Sequence, residues 1–498
     1  MMLSELVRTL GLDVRAAGGP AANPEVSLEI GGVSHDSRTV ETGDLYVALV
    51  GRRFDGRDFA ADAVARGAVA VAGPLPAAGL PPDVPWVIAP DPRALLGPLA
   101  AAVYGHPDRE LVLAGVTGTN GKSTVATLIA AMLDAAGRPA GFIGTLGYRF
   151  GGERFPGGHT TPEASDLFRT LRRMRQAGAR GVAMEVSSHA LDMGRVEGAR
   201  FDVAVFTNLT RDHLDYHPDM ESYFAAKRRL FDRLKPGGRA AVNLDDPYGR
   251  RLAGELGNAV TCGAGGEVDA HGVTLDATGM RGLLRTPRGE VRFATPLLGR
   301  YNLANLLAAA AAAEALGLPL EAMAAALAAQ RPIAGRMEPV DRGQPFPVFV
   351  DYAHTDAALD AALRSAREVA GTGRVAVVFG CGGERDTGKR PLMGRVAGEL
   401  AELPIATSDN PRGEDPQAIL AAVEQGLKES GNRAYRLVPD RREAIRQAIA
   451  AAGPGWAVLV AGKGHEQEQI VGDRKIPFSD LAEIEKALEE RFGTPVRR

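Results

Sequence analysis

Short apolar runs alternate with amphipathic stretches along most of the chain. Residues 1–14, MMLSELVRTLGLDV, have the spacing of a short amphipathic helix. A strand is predicted over Asp44–Val50 and a helix over Phe59–Arg66, so the first hundred or so residues read as a small α/β unit. The proline-rich stretch Pro74–Pro85 between later elements predicts an exposed loop. Gly105-His-Pro-Asp108 precedes a new apolar run, and a domain boundary is expected there. From Glu110 the pattern becomes strand, Gly-rich turn, helix. Leu111–Val116 is the continuous apolar run of a buried parallel strand, and Ser123–Ala136 sets Leu128, Met132 and Leu133 on one helical face. Gly181–Val186, Val203–Thr207 and Ala240–Leu244 repeat the strand signal between helical stretches, which implies right-handed βαβ crossovers. Val273–Leu297 alternates in short pieces around Gly279 and Gly289 and predicts antiparallel hairpins. Helices follow over Asn302–Ala313 and Leu320–Gln330. Beyond the linker Arg331–Arg336 a second α/β pattern begins, with strands at Val348–Tyr352, Val375–Phe379, Ile405–Thr407 and Ala457–Ala461. The expected fold class is α/β, in three domains spanning 1–107, 108–335 and 336–498.

Composition narrows the function classes. Hydrophobic residues at 45% and charged residues at 24% exclude overall disorder. The net charge of −3 gives no global attraction for nucleic acid, so an anionic ligand must be held by local Arg, Lys and backbone N–H groups. Cys262 and Cys381 are too few for a disulfide framework and suit a reducing cytosol. The N-terminus lacks the apolar core of a signal peptide, and the Ala-rich Leu306–Leu316 falls far short of the ~20 residues of a membrane span. A cytoplasmic protein without membrane or nucleic-acid partners is expected.

The strongest chemical signal is Gly115-Val-Thr-Gly-Thr-Asn-Gly-Lys-Ser-Thr124, between a strand and a helix. Such a loop closes backbone N–H groups around phosphates, with the helix N-terminus favouring their charge. Gly118, Thr119, Asn120, Gly121, Lys122, Ser123 and Thr124 are therefore candidate ATP-binding residues, Lys122 reaching the β and γ phosphates and Ser123 ligating Mg²⁺. The strict pattern has Gly six positions before the Lys, where this chain has Val116. Met184-Glu-Val-Ser-Ser-His189 ends the next strand and offers Glu185 to a metal. Thr207–His217 crowds polar groups at another strand end and offers His213 as a ligand. Polar loops also end the later strands: Val350–Asp356, Gly380–Pro391, Ser408–Gly413 and Ala461–Glu466. Their regular placement marks one binding face.

Taken in order, Gly-Thr-Asn-Gly-Lys-Ser, Met-Glu-Val-Ser-Ser-His, Asp-His-Leu-Asp-Tyr-His, Gly-Arg-Met-Glu (335–338), Asp-Tyr-Ala-His-Thr and Asp-Asn-Pro-Arg resemble the Mur ligases over about Ser37 to Glu466. The resemblance implies a UDP-sugar domain, a central P-loop ATPase and a Rossmann-like C-terminal domain. It is greatest for the branch that adds the third peptide residue. That implies ATP-dependent joining of meso-2,6-diaminopimelate to the D-glutamyl γ-carboxylate of UDP-N-acetylmuramoyl-L-Ala-D-Glu, with Mg²⁺ and through an acyl phosphate. It further implies that Ser37, Arg52, Arg53, Phe54, Thr160, Thr161, Ser187 and Arg195 hold the UDP-muramoyl dipeptide. Asn302, Arg336, Asp351 and His354 would lie at ATP, and Arg385, Asp409, Asn410, Pro411, Arg412, Gly462 and Glu466 would take the diamino acid. Lys227 would be carbamylated, an oxygen ligand to Mg²⁺ beside Ser123, Glu185 and His213, with Lys122, Lys227, His213 and Glu185 catalytic. His159 and Met193 stand where the family often has Asn and a polar Gln. A monomer is expected. The alternatives are a lysine-adding ligase of the same family, a folylpolyglutamate synthase, which Asp-Asn-Pro-Arg and Asp-Ser-Arg argue against, and a P-loop NTPase acting as a regulatory switch.

Overall fold

The computed structural model describes residues 1–17, 27–51, 54–77, 79–155 and 157–493. Packing groups the chain into two compact units. The first comprises Met1–Thr117, Gly137–Val205 and Ala226–Ala240, the second Gly118–Ala136, Phe206–Ala225 and Ala241–Arg498. The boundary regions expected near 107 and 335 each fall inside a unit.

The first unit opens with the amphipathic helix Leu3–Leu10, which buries Leu3, Leu6 and Val7. A five-stranded sheet follows in the order Val14–Ala16, Pro85–Ile88, Ala70–Gly73, Asp44–Val47, Gly32–Ser34. Its first pair is antiparallel and the rest are parallel. Trp86 and Tyr46 fill its core against Ala60 and Ala63 of the helix Ala60–Ala65. The Trp86 indole N–H is satisfied by Gly73 O at 3.1 Å, so this large ring is buried without a polar debt. Further along, Val112–Thr117, Gly181–Glu185 and Ala140–Gly144 pair in parallel, the middle strand being Gly181–Glu185. Every residue of that strand is buried, which explains its unbroken apolar run and makes the buried Glu185 at its end conspicuous.

In the second unit, Asp269–Asp276, Gly279–Thr286 and Gly289–Thr295 form the antiparallel sheet that the alternation around Gly279 and Gly289 predicts. The helices Arg300–Ala315 and Leu320–Ala328 follow it. A six-stranded sheet then runs in the order Glu338–Pro339, Val348–Asp351, Trp456–Ala461, Arg374–Cys381, Leu403–Ser408, Arg436–Leu437, parallel but for its first pair. Within Arg374–Cys381, Val375, Val377 and Phe379 pack on one face with the helices Asp356–Ala370, Lys389–Leu400 and Pro416–Glu429. Ala376 and Val378 pack on the other with Arg441–Ala451 and Asp480–Phe492. Helices on both faces make the sheet doubly wound, which is why its strands show no polar alternation. Under the second face, Arg441 and Asp480 form a bidentate pair at 2.7 and 2.6 Å, both side chains fully buried. Among the described residues no helix is long and apolar enough to cross a membrane.

Candidate active site

The phosphate-type loop follows the strand Val112–Thr117 and ends at the helix Lys122–Ala135, for which Gly121 is the N-cap. Its shape depends on glycine twice. Gly118 has φ 148° and Gly121 φ 88°, and a Cβ at either would lie 1.9 Å from Thr207 Oγ1 or 2.2 Å from Asn305 Oδ1. The loop is pinned from outside by Thr119 N–H to Asn208 O at 2.9 Å, Asn120 N–H to Asn208 Oδ1 at 3.0 Å, and Thr207 Oγ1–H to Asn120 O at 2.6 Å. Lys122 Nζ arches over it and donates to Gly118 O at 2.9 Å and Thr119 O at 2.8 Å. Ser123 and Thr124 are buried, and the Ser123 hydroxyl accepts from Arg336 Nη2 at 3.0 Å. Two predicted nucleotide residues more than 200 positions apart are thereby brought together. Arg336 also stacks over Tyr352, 4.9 Å from the ring centre.

A cavity of about 90 Å³ beside this loop is lined by Asn120, Gly121, Thr207, Asn208, Asn243, Tyr301, Ala304 and Asn305. Asn302 has no exposed surface; its amide donates to Leu298 O and its oxygen accepts from Asn305, so the residue that faces the cavity is Asn305. Asp351 is buried and accepts from the Tyr301 hydroxyl at 3.0 Å and Met337 N–H at 2.7 Å. Burial pushes its carboxyl up, with Arg336 opposing. Asn305 and Tyr301 carry no motif of their own, though both lie on the helix that holds Asn302.

Asp212, which the sequence does not distinguish from its polar neighbours in Thr207–His217, is the hub of an ionic cluster. His213 Nε2 lies 3.4 Å from its carboxylate, His354 Nε2 3.7 Å and Lys389 Nζ 3.7 Å. Burial alone would raise the Asp212 carboxyl. The nearby His354, His213 and Lys389 outweigh it and hold the group well below the usual carboxylate range. His213 adopts φ 56°, a left-handed conformation uncommon for a residue with a side chain. Arg385 is half-exposed, 3.9 Å from Asp215, while its neighbour Asp386 is held by Arg211 at 3.0 and 3.1 Å.

At the ends of the strands Leu403–Ser408 and Trp456–Ala461 the loops interlock. Asn410 Nδ2 donates to Glu466 Oε2 at 3.0 Å. Arg412, at φ 51°, donates from Nη1 to Gly383 O at 2.6 Å and to Asn410 O at 3.4 Å. Gly462 N–H donates to Asp351 O at 3.0 Å. Pro411 is buried within the loop. Lys463, whose position in the polar segment Ala461–Glu466 gives no sign of burial, is fully buried among Asp409, Asn410 and Glu466. Burial raises the Asp409 carboxyl against the pull of Lys463; at Glu466 burial acts upward too, but Lys463 and the Asn410 hydrogen bond prevail and lower it.

The first unit carries the other predicted residues. Thr161 is fully buried; its hydroxyl donates to Glu185 O at 2.9 Å and accepts from Ser187 N–H at 3.1 Å. Ser187 caps the helix Ser188–Asp192 through Ala190 N–H. Arg195 contacts Thr161 O at 3.3 Å and Glu163 at 3.0 Å, and Glu163 also pairs with Arg93 at 2.6 Å. Met193 sulfur accepts from Arg195 Nη2 at 3.5 Å, so the departure at 193 is in contact with a predicted binding residue. Thr160 is half-buried, and the backbone of His159 is held by Tyr148 OH at 2.6 Å. Ser37 opens a 3₁₀ turn, and His35 Nδ1 meets Ser165 Oγ at 2.8 Å. Phe54 is 70% exposed beside Phe59, while Arg52 and Arg53 lie outside the described residues. Glu185 is 1% exposed, its Oε1 accepting from Thr145 N–H at 2.9 Å and the Thr145 hydroxyl at 2.8 Å. Lys227 is also 1% exposed, on the helix Met220–Arg228.

Three family domains match along this framework: the Mur ligase family catalytic domain over 29–104, the Mur ligase middle domain over 116–313, and the Mur ligase glutamate ligase domain over 335–464. A UDP-N-acetylmuramoyl-L-alanyl-D-glutamate–2,6-diaminopimelate ligase of Geobacter metallireducens is 46% identical over 98% of this chain and 99% of its own. The chain belongs to the Mur ligase family. A relative with the same description from Geobacillus kaustophilus is 47% identical over 94% of this chain and 96% of its own. A solved structure so described superposes with a TM-score of 0.67 at 33% identity, covering 99% of both chains. As a Mur ligase the chain is an ATP-dependent, ADP-forming amide ligase of α/β fold.

Proposed function

We propose that the chain joins meso-2,6-diaminopimelate to the D-glutamyl γ-carboxylate of UDP-N-acetylmuramoyl-L-Ala-D-Glu, with ATP and Mg²⁺, in the synthesis of peptidoglycan precursors. The observation that carries this reading is the loop Asp409–Arg412. At a strand end it brings together Asp409, Asn410 with its partner Glu466, and Arg412, so that ammonium acceptors and a carboxylate donor lie in one interlocked set of loops, as an amino acid with both charges at its far end requires. Full-length likeness to relatives so described supports it.

The γ-carboxylate attacks the γ-phosphorus, ADP leaves, and an acyl phosphate forms. The free amine then attacks the acyl carbon, phosphate departs with the bonding pair, and the amine gives up a proton. No protein nucleophile is needed, so positioning and charge do the catalysis. Lys122 offsets phosphate charge, and Asn120, Gly121 and Asn305 bound the nucleotide cavity. Ser123 and Glu185, whose oxygen donors suit hard Mg²⁺, would be ligands to the ion, as would His213 and Lys227 as a carbamate. When bound, the ion neutralises charge that develops on the phosphoryl oxygens. A lysine with 1% exposure fits conversion to a carbamate better than a solvated surface role. A mass increment of one CO₂, and partial rescue of Lys227→Ala by short carboxylates, are the expected signs; an unmodified Lys227 in active enzyme would remove this role.

Ser37, Arg52, Arg53, Phe54, Thr160, Thr161, Ser187 and Arg195 bind the UDP-muramoyl dipeptide. Three functional domains, 1–107, 108–335 and 336–498, divide these tasks. The chain acts as a cytoplasmic monomer; for the compartment, the buried free cysteines Cys262 and Cys381 suit reducing surroundings. The test is ADP release with the dipeptide and a panel of amines. Strong preference for meso-diaminopimelate over L-lysine is expected, and equal turnover of the two would overturn the assignment.

A further inference from the structure

Lys463 has no exposed surface, and lysines are almost never fully buried unless paired. Its Nζ donates to Asn410 Oδ1 at 3.0 Å and Glu466 Oε2 at 2.7 Å, and lies 3.7 Å from Asp409 Oδ1. Asn410 Oδ1 also accepts Ile470 N–H at 3.0 Å, which fixes the orientation of the amide and turns Nδ2 onto Glu466. Glu466 Oε2 thus takes two donors from within the chain. Asp409 is 7% exposed, and its Oδ1 has no hydrogen-bond partner among the described residues. A buried acceptor left in this state is costly unless something else completes it. Below, Arg441 and Asp480 cancel each other. Two carboxylates against one ammonium leave the cluster with one negative charge in excess.

We propose that Lys463 is a positioning residue for the incoming amino acid: it locks Asn410 and Glu466 in place and sets a residual single negative charge that one substrate ammonium neutralises, with Asp409 Oδ1 as an acceptor. This deepens the proposed function and rests on it. The role differs from that of Arg412, which meets a carboxylate. It gives a reason for a cation inside a site that must receive a cation. Without Lys463 the two carboxylates would repel each other and the Asn410 amide would be free to turn, so the ammonium would meet a disordered and doubly charged pocket.

The test is Lys463→Met in steady-state kinetics with each substrate varied. Loss of a buried charged hydrogen-bond partner should raise KM for meso-diaminopimelate about tenfold or more, with KM for ATP and for the dipeptide within about twofold. The acid limb of kcat/KM for the diamino acid should move to higher pH. Lys463 opposes the burial that raises Asp409 and Glu466, and the other charged groups acting on them, Arg441, Asp480 and His354, remain. The variant Lys463→Met/Asp409→Asn removes one charge of each sign, leaves the net charge of the cluster as it was, and should still show the raised KM. An unchanged KM for the diamino acid overturns the proposal. So does an even loss across all substrates with a lowered thermal midpoint, or failure of both variants to fold, since each marks a purely structural lysine. Should the unmodified enzyme refuse diaminopimelate, the substrate reading fails separately, and the amine it prefers becomes the probe in the same comparison.

Discussion

The loop Gly118–Ser123 and the loop Asp409–Arg412 both follow a strand of a parallel sheet, yet they are held by opposite means. The first is shaped by backbone: two glycines in left-handed conformations, carbonyls facing Lys122, and hydrogen bonds to the strand-end segment Thr207–Asn208. The second is shaped by charge, with a buried lysine, two carboxylates and an amide wedged together, and an arginine at φ 51° tied to Gly383. A phosphate is always anionic and much the same shape, so a rigid cradle of N–H groups serves it. An amino acid with several charged groups must be told from its relatives, and an arrangement of paired charges does that by leaving the wrong substrate with unpaired groups.

The largest effect is expected at Lys122. Lys122→Ala should lower ligation on the order of 10³-fold and sharply weaken ATP binding, because it removes the cation at the transferring phosphate. Near-normal ADP release by this variant would break the assignment of the loop. Next comes Arg412→Ala, with a loss of about a hundredfold in apparent affinity for diaminopimelate from one bidentate charged pair, and little change for ATP. An equal fall for L-lysine would mean that Arg412 shapes the loop and does not read the second carboxylate.

A smaller effect separates backbone from charge directly. Gly121→Ala places a Cβ against Asn305 at φ 88°, and the left-handed cost of about 1–2 kcal/mol should raise KM for ATP about tenfold and leave the diamino acid unaffected. The Gly121→Ala/Asn305→Ala pair should regain part of it; no recovery would place the cost wholly in the dihedral. The smallest effect concerns Asp212. Its folded carboxyl is lowered, so its contribution to stability is full above the unfolded value near 3.9 and fades as pH falls through the folded value. Denaturant midpoints should therefore fall below about pH 4, and Asp212→Asn should flatten that decline. Identical acid limbs would show that the cluster does not act on stability.

The same contrast governs what was legible in the sequence. Backbone-built features are local and legible: the glycine-rich loop between strand and helix, the hairpins around Gly279 and Gly289, and the alternation of apolar strands with helices beyond Arg336. Element ends differ by a few residues, as with the strand read from Ala240, which begins at Leu234, because its part-exposed Lys235–Arg239 segment carries no apolar signal. Charge-built features join residues far apart. Lys463 and Asn410 are separated by 53 positions, Arg336 and Ser123 by 213, and neither contact leaves a periodic trace. Hence Asp212, Lys389, Asn305 and Lys463 went unnoticed within segments that were otherwise singled out.

The buried Arg441–Asp480 pair has a consequence for how the protein is made. Asp480 follows Arg441 by 39 residues, so a ribosome adding about 5–20 residues per second delivers the counter-charge roughly 2–8 s later. Until then Arg441 must stay hydrated, because an unpaired guanidinium cannot enter the apolar layer it finally occupies. The second face of the six-stranded sheet is therefore left open during synthesis and shuts only when the helix Asp480–Phe492 emerges. A newborn chain exposes Val348, Val350, Ile405 and Val458 over that interval, and this is the surface on which a chaperone would find it.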